Sequence, residues 1–199
     1  MTPYLLDLEI SFASSLPRWD GRPLVFAQAL PTRRRTRRGL TLRYWNDVGR
    51  PFREIALEAL RLARRRAQTA PVVLLCQPEG DTRLRRELGR VDPCLPLVYM
   101  AEVSRFDSGG ADDLTRYVQD HHASVVVVDN LRRLMPRVHW KSPRSRFDAT
   151  EREVLGGLRR VISGFDHEIE VVLFHHVARG KAEKLLAEGL VDEIEEVRL

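Results

Sequence analysis

Two short apolar runs stand out along the chain, Ser124-Val125-Val126-Val127-Val128-Asp129-Asn130 and Val171-Val172-Leu173-Phe174-His175-His176. Both are rich in β-branched residues, and both end abruptly in polar groups. Continuous apolar runs of this length predict strands covered on both faces, as in a parallel sheet with helices on either side. Val72-Val73-Leu74-Leu75-Cys76 repeats the pattern after Pro71, and Leu95 to Val103 reads as another strand. Between these runs the period changes to that of helices. Ile55, Leu57, Ala59, Leu60, Leu62 and Ala63 give a broad apolar face from Pro51, which suits a first helical turn, to Arg66. A short basic helix is expected from Thr82 to Gly89 and an amphipathic one from Ala111 to His122. Asp112 and Asp113 favour the N-terminal end of the latter through the helix dipole, and His121 and His122 its C-terminal end. A further helix is expected over 150–162, with Thr150 as its cap and Glu153 in the capping-box position. Another is expected over 180–189, stopped by Gly189, with a last strand from Glu193 to Leu199.

The first fifty residues read differently. Leu5 to Phe12 alternates as a strand and breaks at Pro17, Leu24 to Leu30 is apolar, and Leu40-Thr41-Leu42-Arg43-Tyr44-Trp45 is a third run. Strands joined by a long arginine loop account for 24–45. The alternation of strands and helices from 51 onward argues a largely parallel sheet with right-handed crossovers. The expected division is therefore a β-rich N-terminal part over 1–50, packed on an α/β core over 51–199. Arg137 to Ala149 is polar and broken by proline, and is expected to be a long loop at the carboxyl edge of the sheet, where loops are often functional.

Composition bounds the function. At 199 residues the chain is long enough for one real core. No run approaches the ~18 apolar residues of a membrane span, and Met1 to Asp7 lacks a signal-peptide layout. Cys76 and Cys94 are not expected to build a disulfide framework or a four-ligand zinc site, and Cys76 sits in an apolar run as a small hydrophobe. A soluble cytoplasmic protein with no membrane partner is expected. Net charge is +5 and unevenly spread: residues 31–66 carry twelve Arg against Asp47, Glu54 and Glu58, whereas 150–199 carry seven basic against eleven acidic residues. The cluster Arg33, Arg34, Arg35, Arg37 and Arg38 cannot all find carboxylates nearby, so these arginines are solvated or meet phosphates. Only three of the 33 basic residues are Lys, so part of this skew is general to the chain.

In open α/β sheets ligands sit beyond the carboxyl ends of the strands, which singles out Asp129, Asn130, His175 and His176. An apolar strand ending in Asp is what a P-loop nucleotidase uses to hold the magnesium of a bound nucleotide. The stretch VVVVDNLRRL over 125–134, with VVLFHHVARGKA over 171–182, resembles the RecA-like ATPase core of plasmid replicative helicases and their relatives in the hexameric-helicase group. Val72 to Asp81, leading into Leu84-Arg85-Arg86-Glu87-Leu88, resembles the family strand that ends in an acidic residue. The resemblance covers roughly 70–182 and implies a three-layer, mostly parallel RecA-like sheet. It implies that Glu79 would help activate the attacking water, that Asp129 would be the metal ligand, and that His176 or His175 would sense the γ-phosphate. Arg179 and Lys181 would lie near nucleotide or DNA. Roles in DNA replication or recombination follow from the family.

The chain departs from that family at the phosphate loop. No G-x-x-x-x-G-K-[ST] occurs; the corresponding stretch reads Tyr44-Trp45-Asn46-Asp47-Val48-Gly49-Arg50-Pro51-Phe52. Gly49-Arg50 imitates Gly-Lys at the nucleotide, but Tyr44 replaces the first glycine and Pro51 removes a hydroxyl and a backbone donor. The expectation is a core that has lost ATP hydrolysis and acts by binding DNA or a partner, either a second copy of itself or an intact ATPase. Magnesium with nucleotide is expected only if the altered site still binds. Two alternatives stay open at this point. One is a Toprim-like metal-dependent nuclease or strand-transfer enzyme using Glu79 and Asp129, in which Asn130-Leu131 lacks the second carboxylate. The other is a non-catalytic interaction subunit of an active ATPase.

Overall fold

The computed structural model describes residues 39–46, 52–76, 82–100, 104–136 and 144–197. Its centre is a six-stranded sheet in which every pairing is parallel. The strands are β1 (Gly39–Trp45), β2 (Val72–Leu75), β3 (Leu97–Met100), β4 (Val125–Val128), β5 (Glu170–His176) and β6 (Glu193–Glu196), in the spatial order β3-β2-β4-β5-β1-β6. The helices are α1 (Phe52–Ala67), α2 (Thr82–Leu88), α3 (Gly110–Asp120), α4 (Arg144–Ser163) and α5 (Arg179–Ala187). The expected three-layer α/β architecture is present.

Side-chain alternation divides the core into two layers, as a strand period of two requires. Val72, Leu74, Cys76, Val125, Val127, Val172 and Phe174 pack with the apolar face of α1 and with Leu84 of α2. Val73, Leu75, Val126, Val128, Val171 and Leu173 pack on the other side against Leu114 and Val118 of α3, Val154, Leu155 and Leu158 of α4, and Ala182 and Leu185 of α5. All four residues of β2 and of β4 are buried, which is why these segments read as unbroken apolar runs.

Where the sequence reading and the structure differ, the reasons are local. The run 40–45 is β1, an interior strand between β5 and β6, so the core sheet begins at least at Gly39. The other N-terminal runs and the arginine cluster Arg33–Arg38 lie outside the described residues. The helix expected from Thr150 begins at Arg144, and Thr150 is internal, its Oγ1 donating to the Arg146 carbonyl 2.9 Å away. Glu170, at the start of β5, is buried and accepts from Arg66 Nη2 at 2.6 Å.

Candidate functional site

The loop after β1 leads into α1 on one face of the sheet, whereas those after β4 and β5 lead into helices on the other. The carboxyl ends of β1 and β5 therefore flank one point where the chain turns to opposite faces, and β2 and β4 flank another. Such points are where open α/β sheets open a crevice. At the first, Trp45 stands opposite His176 and Tyr44 opposite His175. At the second, Leu75 stands opposite Val128, and the Asp129 N–H donates to the Leu75 carbonyl at 3.0 Å.

Asp129 follows β4, and its side chain is only 1% exposed. The next residues explain how a carboxylate is tolerated there. Asn130 caps a short 3-10 turn, Leu131–Arg133, its side-chain oxygen accepting from the Arg132 N–H at 2.9 Å. The turn carries Arg133 back over Asp129. Arg133 Nε donates to one carboxylate oxygen and Nη2 to the other at 3.1 Å, a two-pronged ion pair. A buried carboxylate needs such a cation or would be forced to take up a proton. Asn130 thus has a structural task, and Asp129 already has a positive charge against both oxygens.

The paired histidines do not act as a pair. Because β5 continues through His176, alternation sends the two rings to opposite faces of the sheet. His176 tilts against Trp45, with ring centroids 5.5 Å apart, and its Nε2 is buried without a hydrogen-bond partner. His175 enters the other layer, is 1% exposed, and lies with Nε2 2.5 Å from Glu151 Oε1. The second Glu151 oxygen is 2.5 Å from Lys181 Nζ in an ion pair off the ideal hydrogen-bond direction, and the same ammonium donates to Asp148 Oδ1 at 2.7 Å. Lys181 and Arg132 each lie 5.8 Å from the centre of the Phe147 ring. Burial pushes the His175 pKa down, against the pull of Glu151. Burial also opposes ionisation of Glu151, but the His175 hydrogen bond and the Lys181 ammonium outweigh it and hold its pKa below the usual carboxylate range. The consistent state at neutral pH is a neutral His175 donating from Nε2 to an ionised Glu151 that faces Lys181. His175 Nδ1 then carries a buried lone pair with no partner.

Of the residues singled out from sequence, the structure brings Asp129, His175, His176 and Lys181 to the carboxyl edge, but ties each into internal contacts. Arg179 is exposed and donates to Glu183 at 2.8 Å. Glu79, Gly49 and Arg50 lie outside the described residues, as do Arg33, Arg34, Arg35, Arg37, Arg38 and the Arg137–Lys141 stretch. Among the described residues no three His, Cys, Asp or Glu side chains gather to hold a metal ion, and no helix is long and apolar enough to cross a membrane. Glu151 was missed by sequence reasoning. Its signal is a glutamate in line with Val154, Leu155, Leu158 and Ile162, the buried stripe of α4.

A magnesium nucleotide would need a cradle after β1 and a carboxylate free for the metal. The residues present do not meet that need. Trp45 is 2% exposed and packed into the α1 layer, the following stretch has no Gly-Lys-Ser/Thr, and both Asp129 oxygens accept from Arg133.

No protein-family model matches the chain, and no curated protein matches it. Among solved structures it is similar to a KaiC-like protein of the hyperthermophilic archaeon Pyrococcus horikoshii OT3, with a TM-score of 0.55 and 17% sequence identity. The similarity covers 82% of this chain and 74% of that one. At that identity the likeness concerns the fold alone, and together with the all-parallel sheet it establishes that this chain is built on a RecA-like core.

Proposed function

We propose that this chain is a nucleic-acid-associated protein of replication or recombination whose RecA-like core no longer hydrolyses ATP and works by binding DNA or a protein partner. The observation that carries the loss of hydrolysis is the ion pair of Arg133 with Asp129. A guanidinium donates to both oxygens of the carboxylate at the end of β4, and the stretch 44–52 lacks the Lys and the Ser or Thr that would hold the phosphates and metal of a nucleotide. The nucleic-acid part is supported by the pI of about 9.7 and by the arginine-rich front half, whose charge would bring the protein to a polyanion.

Calorimetric titration of the full chain with ATP, with and without magnesium, tests the reading. Neither heat of binding nor phosphate release is expected. Magnesium-dependent binding accompanied by turnover would sink the proposal and return Asp129, Glu79 and His176 to catalytic duty.

A further inference from the structure

Positive charge is concentrated on α1 and α2, the helices that cover one face of the sheet. The stretches 54–67 and 82–90 carry eight arginines against three glutamates. The two helices pack side by side through Leu57, Leu60 and Leu84. Over that seam lies a cavity of about 130 Å³, floored by Leu57 and Leu60 and ringed by Arg61, Arg64, Arg83 and Glu87. It is well below the ~300 Å³ at which pockets begin to take whole small molecules, but it has room for one tetrahedral oxyanion.

Two of the carboxylates here each hold more than one guanidinium group in place. Glu58, 17% exposed, receives Arg65 at 3.1 Å and Arg61 at 3.5 Å, as well as Arg43 at 3.9 Å. Glu87 receives Arg90 at 3.0 Å and Arg64 at 3.8 Å. One carboxylate shared among several guanidiniums fixes their positions and leaves a surplus of positive charge. Guanidinium, unlike ammonium, presents a planar fork that matches phosphate oxygens two at a time. Among the described residues the only large apolar side chain exposed is Leu186, in the opposite layer, so this face offers no apolar anchor for a peptide or a bilayer.

We infer that the α1–α2 face is a sequence-independent binding surface for a nucleic-acid phosphate backbone, with one phosphate seated between Arg61, Arg64 and Arg83. This rests on the nucleic-acid reading above and gives it a site that uses neither the phosphate loop nor the loops at the carboxyl edge. Contacts to phosphates release counterions, so each one adds about 0.9 to the slope of log K against log[salt].

The test compares three full-length proteins binding a short labelled DNA duplex over about 50 to 200 mM salt, with thermal melts confirming folding. One is the wild type. The second carries Arg61→Gln, Arg64→Gln and Arg83→Gln. The third carries Arg116→Gln, Arg160→Gln and Lys184→Gln, which remove the same charge from the opposite layer. The α1–α2 variant should lose about 1 unit of slope and the control less than about 0.3. A wild type that does not bind at low salt overturns the nucleic-acid reading itself. Binding with equal slopes in all three proteins leaves that reading intact and overturns this inference. Titration with inorganic phosphate at constant ionic strength, and with anionic vesicles, distinguishes the sources of phosphate. Saturable stabilisation by the free ion, or vesicle binding lost only in the α1–α2 variant, combined with unchanged DNA slopes, also overturns it.

Discussion

Replacing Glu151 should expose how much of the fold depends on one buried charge. Its side chain is 1% exposed, with His175 on one oxygen and Lys181 on the other. Glu151→Ala removes the acceptor of the His175 Nε2–H, leaving an imidazole with neither nitrogen paired in the core, and takes from Lys181 one of its two carboxylates. An unsatisfied buried donor costs about 1–3 kcal/mol, and the lost side-chain atoms add a cavity penalty of about 24 cal/mol per Å³. The expected total is about 3–5 kcal/mol, the range for breaking a buried pair from one side. Glu151→Gln keeps the shape and an oxygen for His175, and should cost about 1–2 kcal/mol, in line with the loss of a hydrogen bond to a charged group. Lys181→Met leaves the carboxylate buried without its ammonium, while the double variant Glu151→Gln with Lys181→Met removes both charges. If the charges stabilise each other, the double variant is less damaged than the sum of the singles by about 1–3 kcal/mol. Urea unfolding followed by circular dichroism reads all four free energies, and melting temperatures should move by about 2–4 °C per kcal/mol for a chain of this size. Additivity within about 0.5 kcal/mol, or a Glu151→Ala cost under about 1 kcal/mol, would refute the coupling.

The same network sets a pH dependence. Burial lowers the His175 pKa, so the unfolded chain takes up its proton first as pH falls below about 6.5, and stability is lost with acid. Glu151, also lowered, adds to the loss only nearer its ordinary 4.5, while Glu170, raised by burial, has the opposite sign and costs stability as pH rises above 4.5. Comparison with His175→Gln isolates the histidine: between about pH 6.5 and 5 the wild type should lose up to about 1.4 kcal/mol per pH unit more than the variant, and parallel urea-unfolding curves would refute it. Two adjacent glycines of α4 should respond with opposite signs. A Cβ on Gly157 would lie 2.6 Å from the Phe106 ring, whereas one on Gly156 meets nothing closer than Arg160 Nη1 at 3.8 Å. Gly156→Ala should stabilise by about 0.5–1 kcal/mol through helix propensity, and Gly157→Ala should lose about 1 kcal/mol once overpacking exceeds that gain, measured in the same denaturation assay.

What the sequence disclosed followed the distance over which each feature is determined. β2, β4 and β5 were legible because burial on both faces leaves an unbroken apolar run, and α1 because its apolar face repeats at helical spacing. The start of α4 was not. The stretch 144–149 is polar because it lies at the end of a helix, where solvent and the partners Lys181 and Arg132 meet it, and polarity alone reads as loop. The opposite directions of His175 and His176 were implicit in a strand period of two, but only once β5 is known to run through both residues. Glu151 was hidden for a different reason. Its pattern marks it as buried, yet the partners that make burial tolerable come from β5 and α5, 24 and 30 positions further along the chain.

Asp129 shows how a buried carboxylate at the end of a strand is accommodated by its own neighbours in sequence. An aspartate at the carboxyl end of a strand buried on both sides demands a compensating cation, because its desolvation would otherwise favour the protonated acid. Asn130 caps the turn that follows, and that turn returns Arg133 over the carboxylate. Two backbone features complete the arrangement: the Asp129 N–H ties β4 to β2 through Leu75, and the Arg133 N–H closes the turn on the Asn130 carbonyl at 3.1 Å. The carboxylate, its cation and the turn that joins them are therefore encoded within five consecutive residues. A metal ion would have to displace the guanidinium, and would leave Arg133, now 30% exposed, without this partner. Pairing with Arg133 and metal binding would therefore compete for the one Asp129 side chain.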